Sequence, residues 1–370
     1  MSSSSTVNDR AQTSEPVSDT ARIKVLTPKI SLSDNQYLTC LWSAVKPYGV
    51  EIESFDRVQF WVDRPVADVI HLHWIQRFCP IAAEKSFNAF FRTLKALFGF
   101  AVLKLQGYQL VWTVHNTLSH DSQAPRFEYS FRWVLAHLCS DIIVMSEYSK
   151  QEFTRLYGRT KRIHIVPHGN YIGTYPNQIG REVARQQLGL APQQKVLLHL
   201  GQIKPYKGID RLLAAFQQSN HPDVVLLIAG ACRDQALTAA MQQAAQADPR
   251  LLLRLEFIDD DDIQVYMNAC DWVVLPYQKI LNSGSALLAL SFSRPVIVPQ
   301  KGALTELIQD GEQGICYAND ADLTEAIDQA LAMPSEQWQQ MCLNAYKLAD
   351  KFDWQAIGAT LYQLYQQRLS

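Results

Sequence analysis

The chain has 370 residues and a hydrophobic content of 48%, enough to bury two full-sized cores, so two domains are the default expectation. Charged residues make up only 19% and the net charge is −2, which leaves no basic surplus for a nucleic-acid binder held mainly by charge. The seven cysteines are scattered without a CxxC pair, and no stretch has eighteen uninterrupted apolar residues; this reads as reduced thiols in a cytoplasmic protein without a transmembrane helix.

Residues 1–20, "MSSSSTVNDRAQTSEPVSDT", are rich in Ser and Thr and lack an apolar run, so a disordered tail is expected rather than a signal peptide. Six segments with β-branched, apolar centres then follow: "RIKVLTP", "VEIESF", "DVIHLHW", "QLVWTVHN", "DIIVMSE" and "RIHIVPHG". They read as strands covered on both faces, with helices between most of them. In 87–105, for instance, Phe87, Phe90, Phe91, Leu94, Leu97, Phe98, Ala101, Val102 and Leu105 follow helical spacing. The rhythm breaks at 171–194, which is expected to be a linker. A second series follows: "KVLLHLG", "VVLLIAG", "LLLRLEFI", "WVVLPY", "RPVIVP" and "GICYA". Repeated strand–helix units imply parallel sheets with right-handed crossovers. The expected fold class is therefore α/β, with two Rossmann-like, doubly wound domains facing a cleft, over 21–175 and 190–350. A helix over 351–370 completes the chain.

In this architecture ligands bind at the carboxyl ends of the strands. "LHLGQIKPYKG" ends a strand at Gly201, which places Lys204 and Lys207 on a cleft-facing loop, well suited to phosphate. Ordinary surface lysines on a solvated loop are the alternative for these two residues alone. In "LPYQKILNSGSALLALSFSRPVIVP", Asn282, Ser283, Gly284 and Ser285 open a helix. A helix start with a close-approaching Gly is an anion site. Together the two segments suggest a pyrophosphate-sized target.

The second half resembles glycosyltransferases of the GT-B fold, in the large group that includes many bacterial mannosyl- and glucosyltransferases. The matching pieces are "LGQIKPYKGIDRLLAAF", "LLIAG", "FIDDDDIQVYMNACDWVVLPY", "SFSRPVIVPQKGALTELI" and "DGEQGICYA", in the family's order. The first half is similar to the same group through "VWTVHNTLSHD", "DIIVMSEYSKQEF" and "RIHIVPHGNY". The resemblance implies a sugar nucleotide in the C-terminal domain. Lys207 matches the family's diphosphate-contacting lysine, and Lys204 is expected to replace an Arg that this chain lacks, having Gln202 there. Retaining members carry two glutamates eight positions apart, and these fall on Ile280 and Leu288. Their absence argues against retaining chemistry. The combination with "NSGSALLALSF" looks closer to a β-mannosyltransferase-like branch that builds lipid-linked exopolysaccharide units.

An inverting transfer needs a general base from the opposite domain and stabilisation of the departing diphosphate. The candidates for the base are His115, His120 and Asp121 in "TVHNTLSHD"; the alternative for His115 is donor binding or shaping of its loop. "IHLHW" offers His71, His73 and Trp74 at another strand end, with His73 and Trp74 assigned to the acceptor; core packing is the alternative for the two histidines. The acidic run Asp259–Asp262 precedes a helical segment and reads as capping and charging its N-terminus rather than as a metal site. No metal and no cofactor are expected.

The expected donor is GDP-mannose, with a UDP-sugar next, and the expected acceptor is a glycan or lipid-linked glycan. An epimerase of the same fold and a non-catalytic sugar-nucleotide-binding relative are the alternatives. Segment 85–108, with Lys85, Arg92, Lys95 and Lys104 beside its phenylalanines, is favoured as a core helix with a solvated basic face. Its alternative role is peripheral contact with the inner face of the membrane. "KFDWQAIGATLYQLYQQ" is expected to cross back onto the N-terminal domain.

Overall fold

The apolar runs sort into two parallel six-stranded sheets, seen in a computed structural model that describes residues 22–29, 35–55, 67–119, 122–219, 221–367 and 369. The first sheet contains β1 (Ile23–Pro28), β2 (Val50–Phe55), β3 (Val69–Leu72), β4 (Gln109–Thr113), β5 (Asp141–Val144) and β6 (Ile163–Ile165). Its helices are α1 (Gln36–Val45), α2 (Phe87–Leu105), α3 (Pro125–Leu138) and α4 (Glu147–Tyr157). The second sheet contains β7 (Lys195–Leu200), β8 (Val224–Ala229), β9 (Leu251–Arg254), β10 (Trp272–Val274), β11 (Val296–Pro299) and β12 (Gly314–Tyr317). Around it lie α5 (Arg181–Gln187), α6 (Ile209–Gln218), α7 (Gln235–Ala247), α8 (Ile263–Ala269), α9 (Gly284–Ser291), α10 (Leu304–Leu307), α11 (Leu323–Ala332) and α12 (Ser335–Asp350). The final helix is α13 (Trp354–Gln366).

Burial on both faces explains why these strands read as continuous apolar runs. All six residues of β8 and all four of β3 are buried. Helix α6 shows the complementary pattern, burying Ile209, Leu212, Leu213 and Phe216 at the spacing that lines one face.

Strand order fixes where a ligand can sit. The first sheet runs β2-β1-β3-β4-β5-β6 and the second β12-β11-β10-β7-β8-β9. Connections leave in opposite directions on either side of the β1/β3 pair and of the β10/β7 pair, which opens a crevice at the carboxyl edge of each pair. The loops after β7 and β10 flank the second crevice, and they carry the two lysines and the Ser283 helix start.

The break at 171–194 differs from a plain linker. Helix α5 lies within it and packs on the second sheet: Ala184 is buried in that core, and Arg185 donates to Asp271 at 2.9 Å. Asp271 also accepts from the Val196 amide at 2.7 Å, tying the helix to the start of β7. Polar composition concealed this helix, because its hold on the core is a buried ion pair. The acidic run also needs correction. Asp262 stands at the N-cap of α8 without a side-chain hydrogen bond to the helix, while Asp260 accepts from Gln36 Nε2 of the first half at 2.6 Å. The last helix, α13, packs against α1, and the Tyr365 hydroxyl lies 2.6 Å from His71 Nδ1.

Candidate active site

Gly201 directly follows β7, and a side chain there would meet Lys207 Nζ at 3.7 Å and Ser285 Oγ at 4.0 Å. The lysine amine and the second residue of α9 therefore flank one bare stretch of backbone. The loop places them through Gly208, at φ +75°, whose missing Cβ would lie 2.0 Å from the Pro276 carbonyl oxygen. Any other residue there would strain the backbone and drive apart the loops after β7 and β10. Ser283 caps α9 by accepting from the Ala286 amide at 3.1 Å, leaving the first N–H groups of the helix directed at the same crevice.

The electrostatics at this point are unbalanced. Burial lowers the Lys207 pKa to about 8, and the charge of Lys204 adds to the shift. Among the described residues no carboxylate acts on Lys207. Beneath it, His199 donates from Nδ1 to the Val274 carbonyl at 3.0 Å, while its buried Nε2 has no hydrogen-bond partner among the described residues. Lys204 is half-buried at the rim, its amine 6.0 Å from the Tyr206 ring centre. Asn282, grouped with the donor residues in the sequence, has a different contact: its Oδ1 accepts from Ser149 Oγ of the first half at 2.9 Å. Gly284 packs against the first half as well, since a Cβ there would lie 3.2 Å from His168 Nε2 and 3.3 Å from the Tyr171 hydroxyl.

Opposite these loops stands a cluster of imidazole and aromatic rings. His73 Nδ1 and His115 Nε2 are 3.1 Å apart, and Trp74 stacks on His115 with ring centres 4.0 Å apart. Tyr37, at the start of α1, packs edge-on to His115 at 5.0 Å and lies 4.8 Å from His168. His71 lies deeper, bonded to Tyr365 and to Thr113 Oγ1 at 2.7 Å, and is a packing residue. Only 1% of His73 is exposed, so it reaches the cleft through His115. Burial, reinforced by His168 and His71, lowers the His115 pKa to about 3, so this ring is neutral but weakly basic at neutral pH.

His120 and Asp121 lie outside the described residues, but the segment leading to them is firmly held. Glu128 Oε1 accepts from the Ser119 amide at 3.0 Å and from Ser119 Oγ at 2.7 Å. Arg132 pairs with the same carboxylate at 2.7 Å and donates to the Asn116 carbonyl, also at 2.7 Å. Burial acts to raise the Glu128 pKa, and the Arg132 charge with nearby hydroxyls outweighs it, holding the carboxyl below its ordinary range. Sequence reasoning missed this pair; its signal was a Glu and an Arg four apart on an apolar helix face.

Between the halves lies a cleft of about 1060 Å³, walled by Asn116–Ser119 and α4 on one side and by Pro205, Tyr206 and Gln278–Leu281 on the other. Pro205 and Tyr206, which line it, stand in the chain between Lys204 and Lys207. Ile280, one of the two positions where retaining relatives carry glutamate, lines it. A second cavity of about 390 Å³ lies where the starts of α4 and α9 meet. There Glu306 accepts from the amides of Glu147 and Tyr148, so a carboxylate of the second half occupies the N-terminus of α4.

Residues 180–348 match the family Glycosyl transferases group 1, and residues 89–170 match Glycosyltransferase Family 4. The two matches follow in chain order on the two sheets. The chain is a glycosyltransferase with the GT-B fold, and its second half is a group 1 domain. A GDP-mannose:glycolipid 4-beta-D-mannosyltransferase of Xanthomonas campestris pv. campestris is 26% identical to it, over 97% of each chain. Among solved structures, the transferase is similar to Anabaena Alr3699/HepE in complex with UDP-glucose (TM-score 0.73, 21% identity, covering 94% of this chain and 100% of that one). It is also similar to sucrose-phosphate synthase from Thermosynechococcus elongatus (TM-score 0.76, 18% identity, 94% and 99%).

Proposed function

We propose that the transferase moves a hexosyl group from a nucleoside-diphosphate donor to a glycan or lipid-linked glycan, with inversion, in exopolysaccharide or cell-envelope glycan synthesis. GDP-mannose is the first choice of donor and a UDP-sugar the second. The observation that carries the reading is Lys207, a desolvated cation without a carboxylate partner among the described residues, set beside Ser285 and the start of α9. A diphosphate would supply the missing negative charge. The mannosyltransferase relative supports the choice of donor, of lipid-linked acceptor and of a β product.

In the proposed step a base takes the acceptor hydroxyl proton. The acceptor oxygen attacks the anomeric carbon, and the bond from that carbon to the phosphate oxygen breaks. The nucleoside diphosphate leaves with the electron pair, held by Lys207, Lys204 and the N–H groups of α9. Asp121 is the proposed base, because desolvation makes His115 a poor one and the Glu128–Arg132 pair fixes the loop just before Asp121. His115 and Trp74 then form the acceptor wall, with His73 positioning His115. No cofactor is required, and the lysines and amides take the place of a metal at the leaving group.

The test begins with a screen of GDP- and UDP-sugars for thermal stabilisation. Turnover of the stabilising donor is then measured with and without a lipid-linked glycan acceptor, before and after chelation by EDTA. Acceptor-dependent turnover that survives chelation, with a β-linked product from an α-linked donor, is expected. Interconversion of the free donor would instead make the protein an epimerase, binding without turnover would make it a non-catalytic relative, and an α-linked product would exclude inversion.

A further inference from the structure

We propose that α2 and the adjoining end of α3 dock the transferase on the surface of an anionic phospholipid bilayer. This rests on the lipid-linked acceptor of the proposed function and assigns the surface that meets its membrane. Among the described residues no helix is long and apolar enough to cross a bilayer, so a contact of this kind has to lie along the surface.

Helix α2 has two apolar faces. Ala89, Thr93, Ala96, Gly99, Phe100 and Leu103 are buried against the sheet. On the outside, Phe87 is 76% exposed, Phe91 51%, Leu94 44%, Phe98 72% and Leu105 88%. At 3.6 residues per turn these five fall within an arc of about 60°, a continuous ridge the length of the helix. The favoured reading of this segment, a core helix with a solvated basic face, therefore needs correction. Its outward face is mainly Phe and Leu, with Arg92 and Lys95 along one flank. Phe127 of α3 extends the ridge, 54% exposed and 5.7 Å from Phe90 between ring centres.

Charge selects the occupant. From Lys85 to Ser119 the sequence contains no Asp or Glu, while Lys85, Arg92 and Lys95 all lie on exposed positions beside the ridge. Aromatic and aliphatic side chains that enter the acyl boundary, flanked by cations at headgroup level, match an anionic bilayer interface. A second protein chain would bury the same apolar surface but would leave these cations without a stated counter-charge. Placement agrees. Because α2 runs back from the carboxyl end of β3 to the start of β4, Phe87 lies at the cleft edge of the sheet, on the side of Trp74 and His115. A headgroup-linked acceptor would thus enter the cleft from the bilayer at the Phe87 end.

The full chain should sediment with vesicles of equimolar phosphatidylglycerol and phosphatidylcholine, and much less with phosphatidylcholine alone. The variant Phe91→Ser/Phe98→Ser should partition about a hundredfold less, and Lys95→Glu should reduce binding to the anionic vesicles. Both variants alter exposed side chains, and an unchanged thermal shift with the nucleotide sugar would show them folded. That control needs no lipid, so failure of donor binding and failure of docking are read separately. Wild-type protein that stays in the supernatant, or a double variant that sediments equally, would overturn the proposal. So would a wild-type dimer that the double variant dissolves without any loss of lipid binding.

Discussion

A lysine desolvated without a carboxylate partner is costly unless an anion completes it, and among the described residues Lys207 has no such partner. With its pKa near 8, it is charged at pH 7 and loses that charge as the pH rises. The unfolded chain holds the proton up to about 10.5. Folding alone is therefore opposed by this group below that value, and stability rises with pH between the two. Donor binding has the opposite sign, because the diphosphate needs the ammonium. Calorimetry should show a donor Kd that is flat below pH 7 and rises above pH 8 by up to about tenfold per unit, with proton uptake on binding. Lys207→Ala should raise Kd by roughly 10- to 150-fold at pH 7, from the loss of a charge-assisted contact of about 1.5–3 kcal/mol, and should remove the pH slope. An unchanged Kd in that variant would take Lys207 out of the site. The placement of Lys204 and Lys207 on the loop after β7, and of Ser285 at the start of α9, was legible in the sequence because Gly201 and the capping Ser283 mark the strand end and the helix start. His199, Tyr37 and His168 were not, because a buried ring beside the site has the same sequence context as one in the core.

At the scale of elements, strands were the most legible, since burial on both faces writes itself as apolar runs. Helices held by polar contacts were not. Helix α5 is secured through Arg185 and Asp271, and the loop toward Asp121 through Glu128 and Arg132. The latter pair has side-chain exposures of 0% and 2%, so removing one partner strands a buried charge. Glu128→Gln should cost about 3–5 kcal/mol in chemical denaturation and also lower turnover by loosening the Asn116–Ser119 loop. A Glu128→Leu/Arg132→Met double variant should recover much of the stability without the activity. A single variant as stable as wild type would show that the pair does not hold the loop.

At the scale of the molecule, two six-stranded sheets meet at one cleft lined by the loops after β4, β7 and β10, and three kinds of contact set their spacing. Asn282 meets Ser149, Glu306 takes the amides at the start of α4, and α13 returns from the second half to α1. The doubled series of strands made this architecture readable from sequence. The contacts between the halves were not readable, because each joins residues more than a hundred positions apart with no local pattern. A crystal structure of the transferase with GDP or UDP bound tests the donor site most directly. The diphosphate is predicted to lie at the β7/β10 crevice, with its oxygens within hydrogen-bond distance of Lys207 Nζ, Ser285 Oγ and the first amides of α9. A diphosphate bound instead in the first half, away from Lys207 and the start of α9, would contradict it.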